Sequence, residues 1–411
     1  MIFACLRSVR FSSRMGLHSS LSRMTHEYAA SGEAFEKLTQ ILYTRVSIPV
    51  SDRYNALYGV KDLHHSLILL ATENRYAESG MRRLRIEASS VRVPSGSWLR
   101  DTVSSLSEQD ITDKAEGAMD STLKELRGFG VFNDRVVCAM DKHQIPRYDD
   151  GMESFLTRGK RKAGTMKFET YATLQCVEEG RRAQIACTHI GILDDNAEVI
   201  AGLLGQARLR EIEISLLLLD REFYSASCMV RLEKEGQRYL MPCKLTPAVK
   251  RAIMEYTEGK RRKVSRCTVT PSEGREVASF NIVILPRKGS EKETDPLKRL
   301  IAFATNIPRR FVLWNVKRLP DDYRTRWGIE TGYAGVEGFR ARTTSKNHSL
   351  RLLYFYYALI LYNAWLLANL IMARKFSKVL DAPIVEAQMF KVTLHKIIMA
   401  SFAGTARPEA G

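Results

Sequence analysis

From about Glu27 to Gly130 apolar residues recur three and four apart, as in Phe35, Leu38, Ile41 and Leu42, with no strand-like alternation of any length. That spacing gives each helix one apolar stripe and predicts a helical domain over 27–130. Within it, VPSGSWLRDTVSSLSEQD offers Ser95 or Ser97 as the cap of a short helix carrying Trp98, Leu99, Val103 and Leu106 and exposing Arg100. Two readings stay open for it: plain structure, and the second helix of a helix-turn-helix unit.

The pattern changes after Gly130. DRVVCAMD, residues 134–141, is a short apolar strand ending in Asp141, followed by a loop carrying Arg158, Lys160, Arg161, Lys162 and Lys167. TYATLQCVEEG and RRAQIACTHI are rich in Thr, Val and Ile and flank a Glu-Glu-Gly turn, the signature of a hairpin. Residues 194–210 look helical, EISLLLLD is an apolar strand ending at Asp220, and Tyr224 to Glu235 is helical again. This order predicts a mixed α/β sheet in which two strands each terminate in an aspartate. From Gln237 to about Asn315 the alternation is strand-like throughout, in RYLMPCK, VSRCTVTP, EVASFNIVILPRK and KRLIAFATNI, which predicts an inserted β-rich lobe. A helix from about Asp321 to Arg340 follows, carrying Tyr323, Arg326 and Glu330, with no internal repeat anywhere.

The run from Leu352 to Ala373 is 22 residues without a charge and passes the length test for a membrane span. It also carries four tyrosines, Asn363 and Asn369, and stands alone in the chain, which favours a helix buried on several sides in a core. No membrane partner is expected.

Composition narrows the class. The chain has 411 residues, enough for two or three domains, and its 45% hydrophobic and 27% charged residues exclude whole-chain disorder and collagen-like repeats. The unusual feature is charge: 63 Lys and Arg against 46 Asp and Glu, a net +17. Such a balance favours a polyanionic partner, nucleic acid ahead of an anionic membrane, through counterion release. The seven cysteines form no CxxC pair and have no His at zinc-finger spacing, so they read as reduced core residues. Residues 1–26 hold Arg7, Arg10, Arg14 and Arg23, six serines and no acid. They fit a mitochondrial transit peptide, a basic arm touching DNA, or an upstream start with the working chain beginning near Met24.

Asp141 and Asp220 at strand ends would converge on one rim of an open sheet, where ligands bind. A lone strand-end aspartate mostly caps a turn; two of them with a glutamate on a following helix suit the holding of divalent cations against a phosphodiester. Tyr323, Arg326, Glu330 and Glu337 are spaced i, i+3, i+7 and i+14, so on a continuous helix they share one face. Arg326 and Glu330 also have the spacing of a routine surface ion pair. His143, two residues after Asp141, is left out of the site.

DYRTRWGIETGYAGVEGFR resembles the signature of insertion-sequence DDE transposases in which Tyr, two residues, Arg, three residues, Glu, six residues, Lys recurs; Tyr323, Arg326 and Glu330 match it in place. LLLLDREFYS resembles the second-Asp motif of that family at Asp220, and VVCAMDKHQIPRY the first at Asp141. The resemblance runs over about 90–375, with 79 residues from Asp141 to Asp220 and 110 from Asp220 to Glu330, the longer gap accommodating the inserted lobe. Where the signature ends in Lys this chain has Glu337, a charge that repels phosphate, and Arg340 and Arg342 stand close by as substitutes.

The resemblance implies an RNase H-like mixed sheet flanked by helices, with an inserted β-rich lobe and an N-terminal helical domain. The expected organisation is a basic extension (1–26), a helical DNA-end-binding domain (27–130), a catalytic core in two parts (131–236 and 316–375) around the lobe (237–315), and a tail (376–411). It implies two Mg²⁺ or Mn²⁺ ions held by Asp141, Asp220 and Glu330, about 3.5–4 Å apart, for cleavage and strand transfer of DNA. Terminal inverted repeats and target DNA would be the partners, a homodimer would form on synapsis, and the protein would work in the cytoplasm on the nucleoid. Tyr323, Arg326, Arg340, Arg158, Lys160, Arg161 and Lys162 are the expected DNA contacts. The competing readings are a transposase-derived DNA-binding protein without catalysis, favoured by Glu337, another RNase H-like nuclease, and a membrane-anchored basic protein.

Overall fold

A computed structural model describes residues 5–46, 57–90, 92–148, 153–270 and 277–403, with side chains from 23 onward. The side chains of the basic segment 1–22, and with them the three readings of that extension, lie outside the described residues, as do residues 404–411.

In chain order the elements are α1 (Cys5–Arg45), α2 (Val60–Glu73), α3 (Ala77–Glu87), α4 (Gly96–Ser104), α5 (Glu108–Arg127), β1 (Val136–Arg147), β2 (Thr157–Lys162), β3 (Thr165–Cys176), β4 (Gln184–Ile190), α6 (Asn196–Leu209), β5 (Ile214–Leu219), α7 (Ala226–Lys234), β6 (Tyr239–Pro242), α8 (Pro247–Thr257), β7 (Val264–Val269), β8 (Ala278–Pro286), α9 (Pro296–Arg299), β9 (Leu300–Thr305), α10 (Arg309–Asn315), α11 (Leu319–Arg324), α12 (Trp327–Gly338), α13 (His348–Lys375) and α14 (Ala387–Ala403). They form two compact units, a sheet unit from Gly130 to Tyr333 and a helical unit made of 1–129 and 334–411.

The sheet unit is built on one mixed sheet of order β2-β3-β1-β5-β6-β9-β8-β7, with β4 also paired to β3. Its heart is β4-β3-β1, all antiparallel, followed by β5 and β6 running parallel to β1. The parallel strands read as apolar runs because both faces of the sheet are covered, as with LLL at 217–219 and YLMP at 239–242. Residues 237–315, expected as an inserted lobe, carry this sheet onward: β9 joins β6 antiparallel and β8 and β7 follow. The physical reason is β6, a four-residue strand buried along its whole length, whose backbone needs partners on both sides. That stretch also contains α8, which alternation alone does not reveal, although Thr246 caps it, Pro247 starts it, and Val249, Ala252 and Ile253 line its buried side.

Two further expectations change shape. β1 does not stop at Asp141 but runs six residues further, to Arg147, paired with β3. The basic segment after it is not a loop: Arg158, Lys160, Arg161 and Lys162 lie on edge strand β2, all exposed, joined to β3 by a turn in which Ala163 and Gly164 both take positive φ (50° and 84°). Lysine and arginine on an edge strand also block pairing with other chains.

The helical unit surrounds α13. Ser95, one of the two expected caps, accepts from the Trp98 N–H at the start of α4, and Asn347 accepts from the Leu350 N–H at the start of α13. By length and composition α13 could cross a membrane, but 89% of its most apolar window is buried in the protein. Several polar residues of this helix have protein partners: Tyr356 donates to Glu116 (2.7 Å), Tyr357 bonds His64, and Asn369 accepts from the Ile384 and Val385 N–H groups. A core helix, as expected, accounts for every one of these contacts. Cys138, Cys176, Cys187, Cys228 and Cys243 are buried reduced thiols, and Cys267 is half-buried.

Candidate active site

Strand register brings the two aspartates together. In the parallel β1–β5 ladder Met140 pairs with Leu219, the last residue of β5, so the next residue on each strand is an aspartate, Asp141 and Asp220. β5 ends there because Asp220 leads into a 3-10 turn, Arg221–Phe223, whose Phe223 N–H bonds the Asp220 carbonyl (3.1 Å). Asp141 stays inside β1, and the Lys142 N–H donates to its carboxylate (2.8 Å).

Glu330 arrives on α12. The single helix expected over 321–340 is two, because Thr325, Arg326, Gly328 and Ile329 each bond a carbonyl three residues back rather than four. This tightened stretch ends α11 and starts α12, so the register that would align Tyr323 with Glu337 on one face is lost. Arg326 sits at the junction, 8% exposed. Its guanidinium donates to Glu330 (2.7 Å) and to Asp141 (3.4 Å), and lies over the Tyr323 ring at 5.8 Å. Tyr323 donates to the carbonyl of Leu219 (3.2 Å), which pins α11 beside Asp220. Arg326 and Tyr323 are thus built into the carboxylate cluster. On the helical unit Arg340 donates twice to Glu337, both at 2.8 Å, so the carboxylate standing in place of the signature Lys is neutralised there.

Three residues outside the sequence reading position the site. Tyr333, one turn beyond Glu330, donates to the Asp141 carbonyl (2.8 Å), shares a hydrogen bond with Thr173 (2.8 Å), and packs on His143. Gly328 and Gly332 let α12 lie directly on β3 and the residue after it. A Cβ on Gly328 would meet Val177 at 3.1 Å, and one on Gly332 would collide with the Gln175 amide, which Gln184 holds from behind (3.0 Å). The Gly-x-x-x-Gly spacing in WGIETGY was the available signal. Beside Asp220 an open cleft of about 530 Å³ is lined by Lys142, Asn196, Arg221, Glu222 and Lys244, three basic side chains and an amide that suit phosphate, and one acid.

The electrostatics follow from this crowding. Burial, with Asp220 and Glu222 nearby, pushes the Asp141 carboxyl up to about 6 against the pull of the Lys142 N–H and Arg326. Burial opposes the charge on Arg326, yet Tyr323, Asp141, Asp220 and Glu330 outweigh it and hold the guanidinium charged. Burial also pushes the Tyr323 and Tyr333 phenols up, so both remain donors. The oxygens of Asp141, Asp220 and Glu330 do not all come within 4.8 Å of one another; Arg326 occupies the gap. Its Nε is buried without a partner. Hard carboxylate oxygens, a raised carboxyl and an incompletely satisfied cation among them fit a divalent ion, which supplies more charge than one guanidinium.

A family model described as transposase DDE domain matches residues 133–364, more than half of the chain. No curated protein matches. Among solved structures, the cryo-EM structure of a piggyBac transposase synaptic complex with hairpin DNA is similar, with a TM-score of 0.53 and 11% identity over 95% of this chain and 82% of that one, a likeness of fold. The matched span contains all three carboxylates and the sheet that aligns them, and the chain belongs to the transposase DDE domain family.

Proposed function

We propose that this transposase cleaves DNA at the terminal inverted repeats of an insertion sequence and joins the freed ends to target DNA, with Asp141, Asp220 and Glu330 holding Mg²⁺ or Mn²⁺. The observation that carries this reading is the Met140–Leu219 register, which sets two aspartates side by side, with Glu330 tied to the first through Arg326. When bound, divalent ions would activate the attacking oxygen and stabilise the leaving oxygen of an in-line displacement.

The protein's own share is placement. Tyr333 and Tyr323 fasten α12 and α11 to the middle of β1 and the end of β5, so the carboxylates meet on rigid elements. Lys142, Arg221 and Lys244 line the adjoining cleft and would hold phosphates there. β1 continues past Asp141 for about 20 Å paired with β3, whose other side carries edge strand β2, where Arg158, Lys160, Arg161 and Lys162 would extend that surface along a duplex. Arg340, held on Glu337, would serve DNA only after release from that carboxylate. Synapsis of two ends makes a homodimer the working form, acting on chromosomal DNA in the cytoplasm.

Incubating the protein with a labelled terminal repeat, a target plasmid and Mg²⁺ tests the reading. Covalent joining of label to plasmid is expected; cleavage without joining would make the protein a nuclease, and binding alone a non-catalytic descendant.

A further inference from the structure

We propose that Arg326 is a resident counter-cation that a divalent ion displaces from between Asp141 and Glu330, after which its guanidinium takes a DNA phosphate, so that phosphate grip is coupled to metal loading. This rests on the carboxylate reading above and deepens it.

Position is the first argument. Arg326 is 8% exposed, with both terminal nitrogens directed at carboxylates, so a DNA backbone cannot reach it where it stands. The second is that this resting place is incomplete: its Nε has no partner, and the Asp141 contact is long at 3.4 Å. The third is charge. Asp141 and Glu330 share one guanidinium, and a divalent ion entering the gap between them brings twice the charge and repels it. The fourth is a pivot: Arg326 sits in the run of i−3 hydrogen bonds between α11 and α12, beside the Tyr323 ring, which keeps a displaced cation close to the site. Freed there, the planar fork matches phosphate in bidentate fashion, which a lysine cannot do.

The test uses the full chain and measures binding, not turnover. Mn²⁺ is titrated by calorimetry into wild type, Arg326→Gln, Arg326→Lys and Asp141→Asn. A duplex copied from the DNA flanking the reading frame is titrated in EDTA and in Ca²⁺. Thermal unfolding in EDTA reports that each variant is folded, and Arg326→Lys keeps the charge should the neutral variant not fold. Arg326→Gln should bind Mn²⁺ about tenfold more tightly, because no charge-assisted bond has to be broken first. The gain in DNA affinity from EDTA to Ca²⁺ seen in wild type should be lost in both arginine variants. Unchanged or weaker Mn²⁺ binding by Arg326→Gln, or an undiminished Ca²⁺-dependent gain, would overturn the proposal. If Asp141→Asn binds Mn²⁺ as wild type does, the carboxylate reading has failed as well; if it loses binding while Arg326→Gln gains none, only the counter-cation role has.

Discussion

His64 and Asp141 show how much a residue's chemistry depends on what surrounds it. His64 is fully buried against Tyr357, and burial lowers its pKa from 6.5 to about 4; His65 next to it is lowered to about 4 as well, again by burial first. An unfolded chain takes up a proton on His64 near 6.5 while the folded one resists to about 4, so the folded state binds fewer protons between those values. Stability is then full above pH 6.5 and falls as pH drops toward 4, by about 3 kcal/mol for His64 alone. Urea unfolding at pH 7 and pH 4.5 should show this fall, and His64→Gln should remove about half of the slope, His65 carrying the rest. Equal stability at both pH values in wild type would refute the assignment. In the sequence His64 is one histidine on an amphipathic helix, and nothing there marks it as buried. Asp141, Asp220 and Glu330 were legible because chemistry accompanies them in the chain: apolar strands run into the aspartates, and Arg326 lies one turn from the glutamate. Tyr333 was not, since its role depends on which backbone carbonyl lies opposite it.

At the level of elements, the β1–β5 register and the docking of α12 decide the geometry. The succession of elements along the chain and most strand positions could be read from apolar runs, but pairing partners could not, so the stretch after Gln237 looked like a lobe and became sheet. The interruption between α11 and α12 was hidden because Arg326 and Glu330 are four apart whether or not the helix is continuous. Gly332 offers the sharpest test at this scale. Gly332→Ala places a methyl against Gln175, which Gln184 backs, and overpacking of this kind costs about 1–3 kcal/mol. α12 should shift from β3, with cleavage falling at least tenfold while DNA binding changes less than twofold. The two are compared in a cleavage assay and a filter-binding assay on one preparation. A fully active Gly332→Ala would mean that close contact with β3 does not set Glu330.

For the whole molecule, the net +17 is now partly located. It lies on the exposed β2 edge, around the cleft beside Asp220, and in arginines such as Arg309, Arg310 and Arg318 on the exposed stretch ahead of Tyr323. If β2 follows a duplex, converting Arg158, Lys160 and Arg161 together to glutamine should reduce the slope of log affinity against log salt by about 2 to 3, without touching the carboxylates. An unchanged slope would move the DNA path elsewhere. The same view accounts for the long apolar run: α13 is enclosed by protein, and Tyr356, Tyr357 and Asn369 hold partners within the helical unit.

Asp141, Asp220 and Glu330 are proposed to act together on a phosphodiester through divalent ions. The most direct measurement is Mg²⁺-dependent cleavage of DNA carrying the element ends by wild type and by Asp141→Asn, Asp220→Asn and Glu330→Gln, with end binding measured in the same samples. Each single change is expected to abolish cleavage while end binding persists. Wild-type cleavage by any one of the three variants would contradict it.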